Sequence, residues 1–169
     1  MLVYDPEQIQ LLLLGAICVC MEKKMKILFL DVDGVLNSHK TGGLYALKRP
    51  CLKRLEKIVK ETGCEIVLSS TWRKDEYALK RLKRVLQYRG IKIKDVTPVD
   101  PKGFRGEEVR LKMIEYMPDK VAILDDDSDF YDYQLKYFFQ TDGEYGMTDT
   151  IAYRVIQHLN SENMMEINK

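Results

Sequence analysis

Residues 26–36 read KILFLDVDGVL, an apolar run that stops abruptly in two aspartates straddling one valine, with a glycine behind them. Ile27, Leu28, Phe29 and Leu30 are too few for a helix and suit a buried strand of a parallel sheet. Side chains alternate along an extended chain, so Asp31 and Asp33 point the same way just past the strand end. Gly34 then permits a sharp turn where a side chain would obstruct a ligand. Open α/β sheets bind ligands at the carboxyl ends of their strands. Negative charge is costly there unless a cation or a reacting group meets it. The segment constrains chemistry as well as fold.

From Met25 onward, strand and helix patterns alternate. Pro50 opens a helix with Leu52, Leu55, Ile58 and Val59 as its apolar stripe and Gly63 as its cap. A strand over Glu65–Ser69 follows, then a helix from about Asp75 to Tyr88 that buries Leu79, Leu82, Val85 and Leu86 and stops at Gly90. A short strand is expected at Ile91–Ile93, a helix from about Gly106 to Met117 and a strand at Val121–Leu124. A last strand at Tyr137–Gln140 precedes a helix from about Asp149 to Leu159. This order predicts an α/β fold, a mostly parallel sheet with helices on both faces.

A length of 169 residues allows one such domain, expected over residues 25–160, with an extension at 1–24 and a tail at 161–169. The net charge of +1 gives no global field favouring nucleic acid or membrane. Cys18, Cys20, Cys51 and Cys64 form no CxxC pair and no zinc-like spacing, so reduced thiols of a cytoplasmic protein are expected. The apolar run Leu11–Cys20 is too short to span a bilayer. Asp5 and Glu7 precede it without Lys or Arg, and no A-x-A site follows, so it is unlike a secretory signal. It is expected as a packed helix or a poorly ordered extension, with no membrane partner.

In a parallel sheet, Asp31 and Asp33 share an edge with Ser69, Ser70 and Thr71 and with Asp125, Asp126, Asp127 and Asp129. Carboxylates this close are tolerable around a divalent cation, and carboxylate oxygens with water suit Mg²⁺. The hydroxyl cluster offers donors to a phosphoryl oxygen, and Arg105, Lys102 and Arg73 are candidate cations to offset the remaining charge. A carboxylate nucleophile, Mg²⁺, hydroxyl donors and a cation are the parts that phosphoryl transfer needs. The expected partner is a phosphorylated substrate, either a small molecule or a nucleic-acid end.

The segments ILFLDVDGV, EIVLSS and VAILDDDSD, each a strand ending in its polar group, resemble three motifs of the haloacid dehalogenase (HAD) superfamily of phosphohydrolases. LSSTWR, FRGEEV, ILDDDSD and QTD look more specifically like the HAD domain of Swiss Army Knife RNA-repair proteins. The resemblance implies a HAD-like, Rossmann-like fold and an Mg²⁺-dependent phosphatase. Asp31 would be the nucleophile and Asp33 the general acid and base, with Ser69 as the hydroxyl of the second motif. It also implies Mg²⁺ held by Asp31, the backbone carbonyl of Asp33 and an acid from Asp125 or Asp126, with Asp129 acting through water. Arg105 is placed ahead of Lys102 as the third-motif cation. Gly34, Ser70, Thr71 and Arg73 are the expected substrate contacts.

The segments after the first strand and around residues 93–105 have room for a flap at most, so a minimal cap or none is expected. His39 and His158 are read as a surface-loop and a helix-face residue, and Trp72 as either a substrate contact or a cover on the sheet edge. Residues 73–94 carry nine Lys or Arg against two acids. They are read first as the solvated face of an amphipathic helix, and second as a polyanion site, with no aromatic interleaving there to stack bases. The alternative to an enzyme is a non-catalytic module of the same fold that binds a phosphorylated ligand or a protein.

Overall fold

The computed structural model describes residues 24–38, 40 and 46–161. The expectations for the extension, the tail, the flap after the first strand and His39 fall largely or wholly outside them. The strands are β1 (Lys26–Leu30), β2 (Glu65–Leu68), β3 (Ile93–Val96), β4 (Lys120–Asp125) and β5 (Phe138–Gln140). The helices are α1 (Arg49–Thr62), α2 (Glu76–Gln87), α3 (Arg105–Tyr116) and α4 (Asp149–Asn160), with 3₁₀ turns at Thr71–Lys74 and Asp132–Tyr137.

Local chemistry sets these limits. Pro50 sits in the first turn of α1, and Gly63 ends that helix at φ 67°, its N–H bonded to the Val59 carbonyl. Asp75 caps α2 by accepting from the Ala78 N–H at 3.0 Å, and Thr148 caps α4 through the Ile151 N–H at 3.3 Å. Within the apolar strands, alternate residues serve opposite faces. Ile27 and Phe29 pack with Val67, Val109 and Ile123, whereas Leu28 and Leu30 pack with Leu55, Leu82 and Val155.

The five strands are all parallel, in the order β3-β2-β1-β4-β5. Connections through α1 and α2 step one way from β1, and the connection through α3 crosses back to β4. Right-handed crossovers therefore put α3 on the opposite face from α1 and α2. Val109 of α3 accordingly belongs to one core cluster, and the inward residues of α1, α2 and α4 to the other. The reversal of direction falls between β1 and β4, which opens a crevice above their carboxyl ends.

The expected third strand shifts. Ile91 is buried ahead of the strand, and β3 runs instead through Ile93–Val96. As an edge strand, β3 tolerates polar residues, and Asp95 meets the Lys112 ammonium and, at 2.8 Å, the Tyr116 hydroxyl, both from α3. Among the described residues no helix is long and apolar enough to cross a membrane. Cys51 and Cys64 are free and buried.

Leu55 is fully buried where α1 meets the sheet. Leu55→Ala is expected to lower unfolding free energy by about 2–5 kcal/mol, measured by urea denaturation, through lost burial and the cavity left behind.

Candidate active site

The pairing of Leu30 with Leu124 puts the residues that follow them side by side, and the Asp31 N–H donates to the Leu124 carbonyl at 3.0 Å. Carboxylate oxygens of Asp31, Asp125 and Asp126 lie within 4.8 Å of one another. Asp31 and Asp125 are almost wholly buried, and Asp126 is half-buried. Arg105, first residue of α3, sends Nη1 to Asp31 Oδ1 and Asp125 Oδ2, both at 2.9 Å. Of the two residues expected as the third-motif cation, Arg105 therefore occupies the site. Lys102 is exposed, in a loop turned by Asp100.

The electrostatics show how crowded this corner is. Burial raises the Asp31 carboxyl above its ordinary range, although Arg105 pulls the other way. Burial and then the Asp31 charge push Asp125 up to about 8. Burial by itself would lower Arg105, but Asp125 and Asp31 outweigh it and its pKa rises. One guanidinium against three carboxylates leaves the cluster short of positive charge. An all-oxygen donor set with that deficit fits a hard divalent cation.

Asp33 lies outside this cluster. Its Oδ2 accepts from Trp72 Nε1 at 2.9 Å and its Oδ1 from Asn37 Nδ2 at 2.7 Å, while Asn37 Oδ1 accepts the Gly34 N–H at 2.9 Å. The side chain is thus aimed by two N–H donors and is partly open to solvent. Trp72 is buried, as the cover expected of it, and its indole N–H is spent on Asp33. Gly34 turns the chain at φ 68°, and a Cβ there would run into the Asp126 carboxylate.

The residues after β2 divide. Ser70 lies near enough to Asp31 to help hold its carboxyl down, and its side-chain oxygen accepts from the Trp72 N–H at 3.4 Å. Ser69 is fully buried, and its hydroxyl has no hydrogen-bond partner among the described residues. Thr71 is exposed at the start of the 3₁₀ turn.

Arg73, expected as a substrate contact, is committed inside the protein. Its five N–H groups reach the carbonyls of Ser69, Ser70, Thr97 and Pro98 and, at 2.5 Å, the Glu108 carboxylate. The guanidinium ties the β2 turn and the following loop to α3, beneath the site. Asp129, expected near the metal, lies outside the three-acid cluster and caps α3. Its Oδ2 accepts from the Arg105 N–H at 3.1 Å and its carbonyl from the Gly106 N–H at 2.9 Å. Its Oδ1 is buried without a partner among the described residues.

The end of β5 closes the other side. Thr141 N–H donates to the Asp125 carbonyl at 2.9 Å, and its hydroxyl to the Gly34 carbonyl at 2.7 Å. Gln140 Nε2 donates to the Asp126 carbonyl at 3.0 Å. Asn37, Glu108, Gln140 and Thr141 are the positioning residues that individual sequence features did not reveal, although FRGEEV and QTD contain three of them.

A family model described as the HAD domain in Swiss Army Knife RNA repair proteins matches residues 27–152. No curated protein and no solved structure matches the chain.

Arg73→Met leaves Glu108 charged and buried without its partner, and is expected to cost about 3–5 kcal/mol in denaturant unfolding. The added change Glu108→Leu should recover much of that loss. Asp125 titrates near 8 in the folded chain against an ordinary 3.8, so the folded state holds its proton more tightly. Stability from this group is fully present below 3.8 and is lost as pH rises through 8. Thermal melting of the metal-free protein should therefore show a fall over that window, and added Mg²⁺ should offset it at the alkaline end.

Proposed function

The chain belongs to the family of HAD domains in Swiss Army Knife RNA repair proteins, and from that premise and the geometry of the site we propose that it is an Mg²⁺-dependent phosphomonoesterase acting on a phosphorylated polynucleotide end. The observation that carries the proposal is the division of the β1 aspartates. Asp31 sits with Asp125 and Asp126 around Arg105, and Asp33 stands apart under two N–H donors.

Mg²⁺, held by Asp31, Asp125 and Asp126, would supply positive charge to the phosphoryl oxygens and to the approach of an anionic nucleophile. Arg105 holds Asp31 in place and shares its charge. An Asp31 oxygen attacks phosphorus while the bond to the leaving alcohol breaks, and Asp33 gives that oxygen its proton. An aspartyl-phosphate results. Asp33, now ionised, takes a proton from water, and the water oxygen attacks phosphorus, releasing phosphate and restoring Asp31. Trp72 and Asn37 leave lone pairs on both Asp33 oxygens for these transfers. The Ser69 hydroxyl, buried and without a partner among the described residues, is the donor proposed for a phosphoryl oxygen.

The test is Mg²⁺-dependent release of phosphate from an aryl phosphate and from oligonucleotides bearing 3′- or 5′-phosphates. Asp31→Asn is expected to abolish turnover, and Asp33→Asn to lower kcat by about 10²–10⁴-fold. Wild type and Asp31→Asn equally inactive across all of these esters would overturn the enzyme and favour the non-catalytic module.

A further inference from the structure

The basic stretch at residues 73–94 resolves into two parts in the fold. Arg73, Arg89 and Lys94 are held by Glu108, Glu56 and Glu65. On α2, Ala78, Leu82 and Leu86 are buried against the sheet. At 100° per residue, Tyr77, Lys80, Arg81, Arg84 and Tyr88 fall within one arc of the side turned away from them. Tyr77 is 66% exposed and Tyr88 86% exposed. Among the described residues, Lys80, Arg81 and Arg84 form no salt bridge, and the acid of this helix is Glu76 in its first turn. Tyr77, Lys80, Arg81 and Arg84 line one surface hollow, and Arg84, Gln87 and Tyr88 another.

We propose that this stripe binds the single-stranded RNA whose phosphorylated end enters the site, an inference that rests on the phosphatase assignment above. Charge and ring placement point to that ligand. Guanidinium and ammonium groups meet backbone phosphates, and exposed rings at each end of the stripe offer faces to unpaired bases. A duplex hides those base faces. A membrane surface would call for an apolar flank that this arc lacks. The stripe also starts at the right place. α2 follows directly on the turn in which Trp72 holds Asp33, so Tyr77 stands at the site end of the helix. Tyr88 lies about 16 Å farther along the axis, room for a few nucleotides.

The experiment measures fluorescence anisotropy of a labelled single-stranded oligoribonucleotide with a 3′-phosphate, in the Asp31→Asn background so that no turnover intervenes. Lys80→Gln with Arg84→Gln is expected to weaken binding by about tenfold or more and to flatten the salt dependence by about 1.4 log units per log unit. Tyr88→Ala should weaken it by about fivefold or more. In otherwise wild-type protein the same changes should leave aryl phosphate turnover and melting temperature unchanged. Binding that is absent, that is indifferent to these substitutions, or that is as tight for a duplex of the same length overturns the stripe. If binding depends on α2 while no phosphate ester is hydrolysed, the stripe stands and the phosphatase assignment falls.

Discussion

A single guanidinium nitrogen, Arg105 Nη1, lies between two buried carboxylates from adjacent strands. Without a positive group there, the ends of β1 and β4 would set Asp31 against Asp125 in a medium too dry to screen them. The arginine does not neutralise the corner, and with Asp126 close by the deficit remains. The same deficit gives a divalent cation a reason to bind. Stability and chemistry thus draw on one arrangement: the protein tolerates the acids through Arg105 and leaves them incompletely compensated.

Arg105 acts from the first turn of a helix, so its position depends on what fixes α3. Asp129, from the loop after β4, accepts two of the helix's first N–H groups through its side chain and carbonyl. From below, Glu108 engages Arg73, whose remaining donors hold the turn bearing the serines. The outer layer therefore joins the β2 turn, α3 and the β4 loop into one support. Precision at the acid cluster comes from pairs set behind it.

Strand-end aspartates were legible in the sequence because a parallel sheet converts each apolar run into a known edge. Helix limits were legible because Pro50, Gly63 and Asp75 act locally. The partners of Asp33 were not, since an indole and an amide reach it from turns whose course only tertiary packing fixes. Arg73 was misread for a related reason: a basic residue beside the site looks available until a buried glutamate from a distant helix is seen to hold it. The polyanion reading of residues 73–94 ranked second for want of aromatic interleaving, which Tyr77 and Tyr88, eleven positions apart, supply only once the helix aligns them with the basic residues.

Gln140 and Thr141, at the end of the last strand, fasten the loops that carry Gly34, Asp125 and Asp126. Those loops precede them in the chain, so during synthesis the acids emerge from the ribosome before the groups that set their spacing. The same late segment supplies Val155 and Leu159 to the core cluster that holds Leu28 and Leu30. A chain cut short before Gln140 keeps every acid of the cluster and loses the bonds that set their spacing.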